Sequence, residues 1–163
     1  MTQAQVAHVL QPFKYETPPI DEHRGKGSVG LARTDVVGLS VQAVQNGGET
    51  NLHAHPGTDG IWFVLAGRAR FYDDVEHLAC ELGPQEGVLI PHGVRYWFES
   101  AGDEKLEIMH ITGQVHGAKQ ERLNFTPTLP QQRERGINVF EYQEKRKSYR
   151  PISLVVRASF MAA

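Results

Sequence analysis

The stretch Gly47-Gly48-Glu49-Thr50-Asn51-Leu52-His53-Ala54-His55-Pro56-Gly57-Thr58-Asp59-Gly60-Ile61-Trp62-Phe63-Val64-Leu65-Ala66-Gly67 decides the fold. His53 and His55 stand two apart, after an Asn46-Gly47 turn signal and before an alternating apolar run. The spacing predicts a strand that carries both imidazoles on one face. Two imidazoles that converge on one point suit a metal centre or a proton-transfer site.

The rhythm set there continues on both sides. Val37, Leu39, Val41 and Ala43 alternate with small or polar residues, and Ile61–Leu65 is rich in β-branched and aromatic side chains. Gly67 allows a tight reversal into Arg68–Tyr72, Asp73-Asp74 marks another turn, and Gly83-Pro84 a third. Val88–Ile90, Tyr96–Phe98 and Leu106–Thr112 complete the series. Strand-length segments thus recur at roughly 8–12-residue spacing, the signature of an antiparallel sandwich or barrel. No segment between residues 28 and 112 carries a helical period, so the expected fold class is all-β.

Global properties bound the function. A chain of 163 residues supports one sizeable core. Its 40% apolar and 22% charged composition is that of an ordinary globular domain. A formal net charge of -2 gives no basic footprint for nucleic acid. Cys80 is the only cysteine, so no intrachain disulfide forms, and a reducing cytoplasm is the expected location. The first ten residues lack a secretory pattern, and no apolar run approaches the roughly 20 residues that span a bilayer. The expected partners are therefore a small-molecule ligand and a second copy of the chain, with neither nucleic acid nor membrane.

Residues 47–67 and 85–98 resemble the two motifs of the cupin superfamily, small barrels of two facing antiparallel sheets. The first motif commonly reads Gly, five residues, His-x-His, three or four residues, Glu, six residues, Gly. Gly47, His53, His55 and Gly67 fit it, and Gly60 stands at the Glu position. The second motif commonly reads Gly, five residues, Pro-x-Gly, two residues, His. Gln85 stands at its first position, Pro91-His92-Gly93 fits the middle, and Tyr96 replaces the final His. The resemblance implies a cupin-type antiparallel β-barrel or jelly roll with N- and C-terminal extensions.

It also implies a divalent metal (Fe, Mn, Ni or Zn) on His53 and His55, and the departures put that metal in question. Two imidazoles are a poor cage, since non-haem iron usually takes a carboxylate and structural zinc takes four ligands. A third ligand would have to be His110, Tyr96 or Asp59. Strand parity turns Asp59 away from the face of position 60 unless a bulge intervenes, and a turn-capping role competes. His110 is in phase with Leu106 and Ile108, and a hydrogen-bonded core histidine is its competing reading. Tyr96 is open to three readings: a phenolate ligand, a neutral general acid facing a histidine base, or cavity-filling structure. The sharper functional alternative needs no metal. Some cupin-like sugar-nucleotide epimerases pair a His base with a Tyr acid, which assigns His53 or His55 and Tyr96 as catalytic. A non-catalytic ligand sensor is the third class. By alternation Trp62 shares the face of Gly60, and Phe98 that of Tyr96, so these are the expected pocket walls.

The expected organisation is an N-terminal extension over 1–27, a barrel over 28–112, a loop or linker over 113–136, and a C-terminal extension over 137–163. Within the last, Ile152–Phe160 reads as a strand that must be covered by the barrel or by a partner in a homodimer.

Overall fold

The computed structural model describes residues 10–22, 25–45 and 50–126. The Asn46-Gly47 turn, His8, His23, residues 127–136 of the expected loop and the strand expected over residues 152–160 lie outside the described residues. Among those described, the regular structure is all strand. The strands are β1 (Lys26–Arg33), β2 (Val37–Val44), β3 (His53–Ala54), β4 (Thr58–Ala66) and β5 (Ala69–Tyr72). They continue with β6 (Leu78–Leu82), β7 (Gly87–Ile90), β8 (Trp97–Ser100), β9 (Leu106–Gln114) and β10 (Leu123–Asn124).

Two layers face each other. One is a five-stranded antiparallel sheet in the order β1-β2-β9-β4-β7. The other is assembled from β6-β5-β8 and β10-β3. A bridge between His53 and Tyr96 joins its two parts. There the residues exchange both backbone hydrogen bonds, His53 N to Tyr96 O at 3.0 Å and Tyr96 N to His53 O at 2.9 Å. The two sequence motifs are therefore stapled to each other directly at the site.

Alternation places Gly60, Trp62 and Val64 of β4 and Leu106 and Ile108 of β9 inward. They close with Phe71, Tyr96 and Phe98 from the facing layer into one buried cluster. Trp62 lies 4.8 Å from Phe98, and Phe71 lies 5.2 Å from Phe98, both between ring centroids. Gly67 makes the reversal between β4 and β5 at φ +72°, with Lys105 O only 2.6 Å from where a Cβ would sit. Conformation and space both require glycine there.

One strand falls where the sequence predicts a loop. β10 lies inside the 113–136 segment and pairs with β3, Leu123 opposite Ala54 and Asn124 opposite His53. Its two residues are too few to leave a periodic pattern. They owe their pairing to a distant strand.

Candidate active site

The two motifs meet at one end of the core. The His53 ring lies 4.5 Å from the Tyr96 ring and 5.1 Å from the His55 ring, the last two edge to face. The His53 Nδ1 bonds the Asn51 carbonyl at 2.6 Å, which fixes the ring from behind. Burial holds this imidazole well below the ordinary histidine range, and the Arg122 guanidinium adds to the effect while the Asn51 carbonyl opposes it. His55 is lowered in the same sense by burial and then by Arg122. Burial pushes the Tyr96 phenol up to about 12, opposed by the Trp62 indole N–H and by Arg122. At neutral pH the trio is thus uncharged: two imidazoles and a protonated phenol.

His110 joins them from β9. Its ring stacks on Trp62, with centroids 3.8 Å apart and planes within 2°. The register explains the contact, since Trp62 and His110 are directly opposite in the β4–β9 ladder. Burial brings His110 down to about 4, helped by the charges of His55 and Lys26. Its Nε2 would lie 3.1 Å from a Cβ at position 60. Gly60 therefore leaves the room that the imidazole edge fills.

An interior cavity of about 170 Å³ opens between these groups. His55, Thr58, Gly60, Tyr96, His110 and Thr112 supply its functional wall, with Ile90, Pro91 and Val94 on the apolar side. Among the described residues no carboxylate lines it. Through His110, Thr112 and Gln114 it adjoins a wider groove of about 1010 Å³ along β1 and β2, which presents Arg33, Asp35 and Ser40.

Several sequence expectations are redrawn by this geometry. Trp62 and Phe98 do not line the cavity. Phe98 is fully buried in the core, and the face of Trp62 is covered by His110. Alternation gives the face of a residue correctly but says nothing of its depth along the barrel. Gly60 lies at the cavity. His53 stands behind the wall, and His55 is the imidazole that reaches the cavity beside Tyr96. Asp59 turns outward. The β4–β9 register runs unbroken from Thr58 to Val64, so no bulge rotates it inward. Its carboxylate instead accepts from His92 N at 2.7 Å and His92 Nδ1 at 2.8 Å on the exposed rim.

The donor set does not fit a divalent metal. Among the described residues no group of three His, Cys, Asp or Glu side chains is placed to hold one. Gly60 supplies no carboxylate, and Tyr96 would have to lose a proton that burial holds firmly.

Arg122 escaped the sequence reading. It is held by Asn51 Oδ1 at 2.5 Å through Nη2 and by Asn124 Oδ1 at 3.0 Å through Nε. Nothing local signals it, because its partner Asn51 lies 71 residues away in the chain.

The family model for the cupin domain matches residues 40–112. Residues 40–112 are a cupin domain. A Klebsiella pneumoniae protein with a double-stranded β-helix domain superposes with a TM-score of 0.56 at 15% identity, over 68% of this chain and 91% of that one. A cupin-like protein from Thermotoga maritima gives 0.52 at 25% identity, over 61% and 76%. A DMSP lyase from Ruegeria pomeroyi gives 0.50 at 17% identity, over 69% of this chain and 60% of the lyase. No curated protein matches the sequence. What this chain shares with the two structures below 25% identity is the fold. No helix among its described residues is long and apolar enough to cross a membrane.

Proposed function

We propose that this cupin is a small-molecule enzyme whose interior cavity performs acid–base chemistry without a metal, His55 accepting a proton and Tyr96 donating one. The observation that carries the reading is the convergence of His55 and Tyr96 on one small cavity that no carboxylate lines among the described residues. A neutral imidazole lowered by burial and by Arg122 is available as a base near neutral pH, and a phenol held protonated is a competent acid. His53 serves as a positioning residue. Its Nδ1 is tied to Asn51, and its backbone is bonded to Tyr96 on both sides, so it fixes where the phenol points. His110 closes the wall opposite, lowered too far to act as a base near neutral pH. A substrate would enter through the β1–β2 groove and place its reacting atom in the inner cavity, where the apolar side excludes water.

The test is a thermal-shift screen of sugars, sugar derivatives and small organic acids, with deuterium exchange from D2O into each binder followed by NMR. Tyr96→Phe should keep binding and lose exchange or turnover by about 100-fold or more, the usual weight of a positioned proton donor. Full turnover in Tyr96→Phe would remove the acid–base reading and leave a binding module.

A further inference from the structure

The outward face of the five-stranded sheet is apolar where that of the other layer is charged. On β5, β6 and β8 the outward residues Arg70, Glu81 and Glu99 stand opposite one another, and Glu81 holds both Arg68 and Arg70. That is the pattern of a solvated sheet. β4 instead reads Ile61-Trp62-Phe63-Val64-Leu65 without alternation, and β7 carries Val88-Leu89-Ile90. Unbroken apolar runs belong to strands covered on both faces. Trp62, Val64 and Ile90 face the core, so Ile61, Phe63 and Leu89 face away from it. The register sets these residues side by side. Leu39, Ile111, Ile61 and Leu89 form one row across β2, β9, β4 and β7, and Val41, Met109 and Phe63 form the next. Charged side chains mark the two ends of the face, Asp59 bonded to His92 and Glu107 to Lys105. The chain covers part of this face itself. Its N-terminal arm passes over Gly27, where a Cβ would lie 2.0 Å from Pro19 O, and Tyr15 and Thr17 reach Glu107. Val41 and Ala43 are fully buried on that side. The β9–β4–β7 part stays open. Ile61 is 42% exposed, Phe63 36% and Leu89 61%, with Val37 at the start of β2 at 48%.

We propose that this open face is the contact between two copies of the chain, packed sheet against sheet about a two-fold axis. Area supports it. The exposed parts of Val37, Ile61, Phe63 and Leu89 amount to roughly 300–450 Å², taking about 150–250 Å² for a large side chain left free. The partly exposed Leu39, Met109 and Ile111 enlarge the patch. A standard interface buries about 800 Å² per partner, somewhat more than half of it apolar. The face thus supplies the apolar share of one such interface. Chemistry points to a second copy as the partner. Both rows are made of apolar side chains alone, so the surface that best matches them is another of the same kind. Two such sheets interdigitate about 10 Å apart with their strands nearly aligned. Asp59 and Glu107 already have partners within the chain and remain at the wet rim. The proposal stands independently of the acid–base reading of the interior cavity.

Sedimentation velocity of the full chain, diluted from about 100 μM to 10 nM, should show a dimer that gives way to monomer. Ile61→Glu and Leu89→Glu each place a charge within the apolar rows and should weaken the dimer at least about 30-fold. Leu78→Glu, an exposed position on the other layer, should leave it unchanged. A second readout uses the unaltered protein and therefore decides even where a variant fails to fold. Hydroxyl-radical footprinting should find Ile61, Phe63 and Leu89 protected in the dimer and reactive in the monomer, with Val75 and Leu78 equally reactive in both. A chain that is monomeric at every concentration would overturn the proposal, as would a dimer that Ile61→Glu and Leu89→Glu leave intact. Protection of the three side chains in the monomer would overturn it too and assign the cover to residues of this chain outside those described.

Discussion

Gly60 and His110 share one space, and that explains why a residue with no side chain stands where a cupin usually has Glu. A Cβ at 60 would meet His110 Nε2 at 3.1 Å, and the far side of the imidazole is already stacked on Trp62. The ring cannot retreat, so Gly60→Ala should destabilise by about 1–2 kcal/mol and perturb the Trp62 emission. An unchanged urea midpoint and spectrum would show the contact to be slack. Gln85 offers a test of the opposite sign. It holds φ at +69°, a left-handed conformation, at the position where the second motif usually has Gly. Gln85→Gly should therefore stabilise the fold by roughly 0.5–1 kcal/mol in chemical denaturation. Residue identity was legible in the sequence at this scale wherever parity alone decided the outcome. The outward turn of Asp59 is such a case, because an uninterrupted ladder enforces alternation. The exclusion of Trp62 and Phe98 from the cavity was not legible, because depth depends on which side chain from the opposing strand lies on top.

β3 and β10 show what short elements contribute. Two residues each, they form a ladder of only two pairs, and side-chain bonds through Asn51 and Arg122 supply what the ladder lacks. The Thr126 hydroxyl accepts from Leu52 N at 3.0 Å, and the Arg95 guanidinium lies 4.0 Å over the Phe125 ring, tying the same segment down. Asn51→Ala removes the acceptor of Arg122 and the donor to Asn124 together. It should cost about 2–3 kcal/mol and release the 120–126 segment, visible as faster amide exchange at Phe125, whose N–H bonds Leu52 O at 2.9 Å. Unaltered exchange there would mean that β10 is held by its backbone alone. The long strands β2, β4 and β9 could be read from alternation because each extends over eight or nine residues. β10 and Arg122 could not, since their partners sit far away in sequence and no local period announces them.

For the molecule as a whole, the barrel acts as a container that keeps three imidazoles neutral. His53 and His110 titrate below the ordinary histidine value near 6.5, His110 at about 4, so between these limits the unfolded chain binds protons that the folded chain refuses. Stability therefore rises with pH across this window and is lost as pH falls from about 6.5 toward 4, by up to about 1.4 kcal/mol per pH unit for each imidazole. Lys26, Arg122 and His55 oppose protonation of the buried rings and add to the effect. Urea midpoints at pH 7 and pH 5 measure it, and equal midpoints would refute the burial of neutral histidines. The central claim is that the histidine pair belongs to an acid–base cavity with no metal cage. Calorimetric titration of metal-stripped protein with Zn2+, Ni2+, Mn2+ and anaerobic Fe2+ tests it most directly. The account predicts no saturable one-to-one binding tighter than about 0.1 mM. Micromolar one-to-one binding that disappears in His53→Ala or His55→Ala would contradict it.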